Sequence, residues 1–273
     1  MTFQEKRKKM ETLIHDYFSA IDKSGKNAKN YDAFFSSMTD QQFKKYFDEL
    51  GGNQNAVIGI SGGIDSSTVA ALCVKALGED RGRGVLMPYH IQPDINVSLN
   101  LVHYLGIRYS VVNIGHAVDA LKKENAEQGI EETEQANINL PARVRMSELF
   151  FYAQCCNGIP TCNCNLSEDY VGFATYGGDG FGSFAPIEML TKTEVRAVAK
   201  ELGLPDEFVN KTPIDGLCGK TDEESFGFSY EVLDKYIRTG EIDDQNVKRE
   251  IDEMHEKNLF KLKPMEHYEY TGE

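Results

Sequence analysis

The sequence predicts an α/β protein, a doubly wound parallel sheet with helices on both faces. Three observations carry this. Short apolar segments alternate with helix-period segments between residues 56 and 127. A glycine pair stands between the first apolar segment and the first helical one. The 273 residues suffice for one large core with an appendage. Alternating strands and helices favour a parallel sheet covered on both sides, with ligands beyond the carboxyl ends of the strands.

In chain order, residues 4–21 read as an amphipathic helix with Leu13, Ile14, Tyr17, Phe18 and Ile21 on one stripe. A polar break follows, and Thr39-Asp-Gln-Gln42 opens a second helix that stops at Gly51-Gly52. Residues 1–52 are therefore expected to form a helical extension, and residues 53–273 the main domain. The first strand is expected over 56–60 and its helix over 66–77. A second strand over 84–89 precedes a helix over 97–105, and a third over 107–114 precedes a helix over 118–127. A long helix is expected over 141–154, with Pro141 in its first turn. Residues 157–186 are polar and glycine-rich and read as a long irregular loop of the kind that binds or covers ligands. Thr191-Lys-Thr-Glu194 is a capping box that starts a helix ending at Gly203. Further helices are expected over 229–237 and 246–258.

Composition narrows the function. Charged residues make up 26% and hydrophobic residues 41%, with a formal charge of −14. So acidic a surface repels phosphate backbones, which argues against a nucleic-acid partner. No apolar run is long enough to span a bilayer, and the start of the chain lacks an apolar secretion signal, so neither a membrane nor secretion is expected and the location is read as cytoplasmic. Cys155, Cys156, Cys162 and Cys164 are spaced C-C-x5-C-x-C, unlike the C-x2-C pairs of zinc sites. With Cys73 and Cys218 they are read as reduced thiols, buried or lining a site.

The chemistry concentrates in Ser61-Gly62-Gly63-Ile64-Asp65-Ser66-Ser67. Between a strand and a helix this loop places backbone N–H groups and hydroxyls around a phosphate. Gly62 and Gly63 permit positive φ and close approach, and the helix dipole adds attraction for an anion. Asp65 is a poor phosphate neighbour unless a cation lies between them, which points to Mg²⁺. The lysine of a G-x4-G-K-[ST] loop is absent.

This loop resembles that of the N-type ATP pyrophosphatases, which grip pyrophosphate while ATP is split between its α and β phosphates. Downstream segments are similar to those of one branch, the ammonia-dependent NAD synthetases. They are Asn139-Leu-Pro-Ala-Arg143-Val-Arg145-Met146, Asn165-Leu-Ser-Glu168-Asp-Tyr-Val-Gly172, Thr175 with Gly178-Asp179 and Pro186, Leu190-Thr-Lys192-Thr-Glu-Val-Arg196, and the acidic stretch from Gly219 to Asp234. The resemblance runs in order from about residue 56 to 262. It implies an adenine nucleotide alpha hydrolase-like, Rossmann-like fold. It also implies an ATP-dependent amide ligase that adenylates the nicotinate carboxylate of deamido-NAD and amidates it with ammonia.

On that resemblance Asp65, Glu168 and Lys192 are the expected catalytic residues, with Asp65 and Glu168 holding Mg²⁺. The implied ATP contacts are Gly59, Ile60, Ser61, Gly62, Gly63, Ile64, Asp65, Ser66, Met87, Asn163, Lys192 and Ile214. The implied deamido-NAD contacts are Arg143, Tyr176, Ser183, Phe260 and Lys261. A homodimer with sites at its interface is implied as well, and free ammonia is the expected nitrogen source, since no amidotransferase domain is evident. Five positions depart from the family pattern. Tyr176 stands for a Lys, Ser183 for an Asp, Asn163 for a Thr, Ile214 for a Ser or Thr, and Phe260 for a His. Most of these changes fall on the acid-substrate side, so two alternatives stay open: amidation of a different carboxylate, or a non-catalytic nucleotide-binding homologue. A tRNA-modifying enzyme shares the loop but calls for a basic face, which the composition opposes.

Overall fold

A computed structural model describes residues 54–210, 221–263 and 265. The two helices expected before residue 53, Ile214 and Cys218 lie outside the described residues.

The central strand is β1 (Asn55–Gly59), whose Ala56, Val57 and Ile58 are all buried. It pairs in parallel with β2 (Gly82–Leu86) on one side, Ile58 opposite Gly84. On the other side it pairs in parallel with β4 (Gly158–Pro160), Ala56 opposite Ile159. β3 (Arg108–Val111) extends the sheet beyond β2, giving the order β3-β2-β1-β4.

Successive side chains of a strand point to opposite faces, and the two faces here are packed differently. Ala56 and Ile58 join the larger core, with Val69 and Leu72 of α1 (Ile64–Leu77), Leu101 and Val102 of α2 (Ile95–Tyr104), and Val195 and Val198 of α6 (Lys192–Glu201). Val57 and Val85 point the other way, onto Leu149 and Ala153 of α4 (Glu134–Cys155). Both faces are covered, as the doubly wound reading expects. α3 (Gly115–Glu127) lies between β3 and α4 in the chain.

Two expectations are corrected. α4 begins at Glu134, seven residues before Pro141, because Thr133 caps it by accepting from Ala136 N at 3.2 Å. Pro141 is thus inside the helix, where it supplies no N–H for the carbonyl four residues earlier. The stretch 157–186 is not irregular throughout. It contains β4 and the short helix α5 (Leu166–Val171), and the bridge between Thr161 and Phe184 lays its far end along the sheet edge. Gly182 permits this, since a Cβ there would stand 2.4 Å from Cys162 N.

α7 (Asp206–Val209) and α8 (Asp222–Phe226) are single turns flanking residues 211–220. α9 (Tyr230–Thr239) and α10 (Gln245–Asn258) carry a second apolar cluster, with Phe226, Phe228, Tyr230, Leu233 and Ile251 buried around Val171 of α5. The second cluster thereby backs the helix that carries Glu168.

Candidate active site

The glycine loop leaves the carboxyl end of β1, where the topology opens toward ligand. Gly62 has φ +78, but Gly63 has φ −78 and serves as the N-cap of α1, so only the first glycine uses the left-handed region. Ser61 Oγ accepts from Gly63 N at 3.2 Å and lies 3.1 Å from Ser66 Oγ. The hydroxyls of Ser66 and Ser67 turn back to Gly63 O at 3.0 and 2.8 Å, and both residues are buried. Ser61 is the exposed hydroxyl of the loop; Ser67, expected to face a phosphate, bonds inward instead. Ile60 and Ile64 are buried in the core, which leaves only their backbone groups for a nucleotide.

Asp65, in the first turn of α1, points toward the start of α6. There the Lys192 ammonium lies 2.7 Å from Asp65 Oδ2 and 2.9 Å from Glu168 Oε1. The Lys192 side chain is only 2% exposed. A third carboxylate, Asp222 of α8, stands at 4.0 Å, and the Tyr230 ring centroid at 5.0 Å. Three carboxylates around one ammonium compensate the cost of burying it. Burial alone would lower the Lys192 pKa, but Asp65 and Glu168 raise it above the ordinary lysine value, so the charge is retained. Burial pushes Glu168 up to about 8, with Lys192 opposing the rise and Asp65 adding to it.

Asn165 joins the two carboxylate-bearing helices. Its Nδ2 donates to Asp65 Oδ1 at 2.9 Å, and its Oδ1 accepts from Glu168 N at 3.1 Å in a capping box. On the flank of β1, Asn163 Nδ2 donates to Gly59 O at 2.8 Å and Arg145 Nε donates to Met87 O at 2.9 Å. A Cβ on Gly59 would sit 3.3 Å from Met87 Cε. Gly59, Met87 and Asn163, three expected nucleotide contacts, are therefore gathered beside the loop. The arrangement offers converging carboxylates, one buried cation and a glycine loop, which suits phosphate chemistry on a nucleotide. No nucleophile of the Ser–His or Cys–His kind adjoins it among the described residues.

The family model for NAD synthase matches residues 36–269. The NH(3)-dependent NAD(+) synthetase of Pyrococcus horikoshii is 42% identical over 187 residues, which cover 68% of this chain and 72% of that protein. That of Methanococcus aeolicus is 44% identical over 191 residues, covering 67% and 74%. The chain belongs to the NAD synthase family. Among solved structures, the NH3-dependent NAD synthetase of Campylobacter jejuni, in complex with a nitrate ion, superposes with a TM-score of 0.71 at 31% identity, covering 89% of this chain and all (100%) of that one. The NMN synthetase of Francisella tularensis gives 0.78 at 28% identity, covering 89% and 98%.

The positions expected to contact the acid substrate make contacts of their own. Thr175 Oγ1 donates to Asn139 Oδ1 at 3.0 Å, so two family motifs 36 residues apart meet. Arg143 Nε donates to Tyr176 O at 3.2 Å, which leaves the outer edge of an exposed guanidinium for an anion. Tyr176 and Phe260 pair with ring centroids 5.7 Å apart while remaining 45% and 56% exposed. Lys261, expected as a deamido-NAD contact, donates to Gly172 O and Ala174 O at 2.7 and 3.0 Å, and burial lowers its pKa. It is committed to the loop that precedes Tyr176. Ser183 is exposed, and its N–H donates to Pro160 O at the end of β4.

Cys162 and Cys164 are buried and both thiols point at Asp179 O, while Cys155 is exposed. Among the described residues no group of three or more His, Cys, Asp or Glu side chains is arranged to hold a metal ion, and none of the helices is long and apolar enough to cross a membrane. Sequence reasoning did not single out Asn165, Asp222, Tyr230 or Asp234 as individual site residues. Asn165 was available from its N-x-x-E capping spacing, and Tyr230 with Asp234 from their i, i+4 spacing on one helix face.

Proposed function

We propose that this chain is an ATP-dependent amide ligase of NAD synthesis. It adenylates the nicotinate carboxylate of deamido-NAD with release of pyrophosphate, and ammonia then displaces AMP to form the amide. The observation that carries this reading is the convergence of Asp65, Glu168 and Lys192 beside the Ser61–Ser67 loop. Membership of the NAD synthase family supports the choice of acceptor, and likeness to NH(3)-dependent relatives supports ammonia as nitrogen source.

Asp65 and Glu168 fit Mg²⁺, since their carboxylates already converge on one cation, and Mg²⁺ is commonly held by one or two carboxylates plus substrate phosphates. When bound there it would neutralise charge on the leaving pyrophosphate. The backbone of the glycine loop and Ser61 orient the phosphates, and the N-terminus of α1 adds a favourable dipole. Lys192 supplies a buried positive charge beside the bond being broken. Adenylation gives the acyl carbon a good leaving group, AMP, which ammonia displaces directly, so no side-chain nucleophile is required. The homodimer and the cytoplasmic location are part of the same reading.

A second reading, in which the acid is the mononucleotide rather than the dinucleotide, is favoured by two observations. Tyr176 and Phe260 put an aromatic pair where the family pattern has Lys and His, and the fold is similar to an NMN synthetase. Pyrophosphate release from ATP and ammonium, measured with deamido-NAD and with nicotinate mononucleotide in parallel, tests both. Turnover with deamido-NAD at the higher kcat/KM supports the first reading; turnover with the mononucleotide alone replaces it by the second.

A further inference from the structure

The side chains that touch Lys192 and Glu168 are themselves held from behind by one face of α9. Tyr230 and Asp234 are four residues apart on that helix and both are buried. Tyr230 OH donates to Asp222 Oδ2 at 2.8 Å, and its ring lies under the Lys192 ammonium. Asp234 makes two further bonds. Its Oδ2 accepts from Thr193 N at 2.7 Å, and its Oδ1 accepts from Ser167 Oγ at 2.5 Å. Ser167 Oγ in turn accepts from Lys192 N at 2.9 Å.

These bonds fall at the first turns of two helices. Lys192 and Thr193 open α6, and their N–H groups are among the donors a helix cannot satisfy internally. Ser167 directly precedes Glu168 in α5. One carboxylate, with one hydroxyl as relay, therefore joins the residue beside Glu168 to Lys192 and to the residue after it. Ser167 is fully buried, so water does not compete for these bonds.

We infer that Asp234, acting through Ser167, is a positioning residue that sets the distance between Glu168 and Lys192 and so the shape of the cation site at the triphosphate. The inference rests on the ATP-binding part of the proposed function and not on which acid is amidated. Asp234→Asn keeps size but supplies one acceptor where two donors arrive, so its amide N–H meets either Ser167 or Thr193 in place of an acceptor. Ser167→Ala removes only the relay and leaves the Thr193 bond.

The test is calorimetric binding of ATP to the full chain with and without Mg²⁺. Partners behind a metal site cost about 10–100-fold in metal affinity when replaced. Asp234→Asn is expected to lose at least about tenfold of the Mg²⁺-dependent gain in ATP affinity, with metal-free ATP affinity held within about twofold. Ser167→Ala is expected to shift the same way by less, and it keeps the test open if Asp234→Asn does not fold. Asp252→Asn, which weakens the Tyr236–Asp252 bond between α9 and α10 and the Lys248–Asp252 pair within α10, is the stability control and is expected to bind like wild type. A merely structural role for Asp234 would lower the binding stoichiometry and leave the affinity of the folded fraction intact. That result overturns the inference, as does a wild-type chain with no Mg²⁺-dependent gain. A wild-type chain that shows the gain but amidates no acid overturns the proposed reaction and leaves the Asp234 comparison standing.

Discussion

The ammonium of Lys192 lies 2.7 Å from Asp65 Oδ2, joining the first turn of α6 to the first turn of α1 across 127 residues of chain. The contact closes the glycine loop against the segment 165–192 and brings two family motifs to one point. Because the pair is almost dry, removing one partner leaves charge without compensation. Lys192→Met is expected to destabilise the fold by about 3 kcal/mol at neutral pH and to abolish pyrophosphate release. Urea unfolding followed by circular dichroism measures the first effect. A loss below about 1 kcal/mol, the range of exposed pairs, would show that the ammonium is not the cluster's main counter-charge.

Glu168 gives stability a pH dependence of definite sign. Its carboxyl is raised from 4.5 to about 8 in the folded chain, chiefly by burial. The folded state thus holds a proton that the unfolded state releases above its lower pKa. The associated stability is complete below the unfolded value and is lost as pH rises through about 8. Denaturant midpoints for Glu168→Gln should fall less than those of wild type between about pH 5 and 8.5. Parallel slopes for the two proteins would contradict the assignment.

Gly182 is a packing constraint with consequences for Ser183. An added Cβ would meet Cys162 N at 2.4 Å and the Thr161 carbonyl carbon at 2.8 Å, both backbone. Gly182→Ala should cost about 3 kcal/mol, since this backbone segment cannot yield as a flexible side chain would. Thermal unfolding checks the cost, and an unchanged midpoint would mean that residues 182–184 do not run along β4 as described.

Tyr176 and Phe260 predict a change confined to the acid substrate. Tyr176→Ala breaks the exposed aromatic pair while the backbone oxygen that Arg143 uses is retained. The KM for the acid should rise about fivefold, equivalent to about 1 kcal/mol for an aromatic contact, with the KM for ATP unchanged. Steady-state kinetics with each substrate varied in turn separates the two. An equal rise in both would place the pair nearer the nucleotide than the acid.

Much of the fold was legible because apolar runs and glycine stops mark strands and helices locally. The β1–loop–α1 unit, the capping box at Thr191 and the helices over 230–239 and 245–258 all fall within a few residues of expectation. β4 was missed because Gly158-Ile159-Pro160 is three residues long and owes its pairing to β1. The start of α4 was missed because Pro141 suggests a first turn, whereas the buried ring is tolerated eight residues into the helix. In the site, Asp65, Glu168 and Lys192 were readable from motif resemblance, but their mutual contact is tertiary. The roles of Asn165 and Asp234 depend on which helix ends meet, and no local pattern states that. The inward turn of Ser67 had the same cause, since Gly63 O competes for its hydroxyl.

Cleavage of ATP between the α and β phosphates, to activate an acid, is the reaction proposed for this loop and its carboxylates. Product analysis after incubation with ATP, Mg²⁺, deamido-NAD and ammonium tests it most directly, with Asp65→Ala as the comparison. AMP, pyrophosphate and NAD in equal amounts are expected from wild type, with loss of pyrophosphate release in Asp65→Ala. Formation of ADP and phosphate, or full pyrophosphate release by Asp65→Ala, would contradict it.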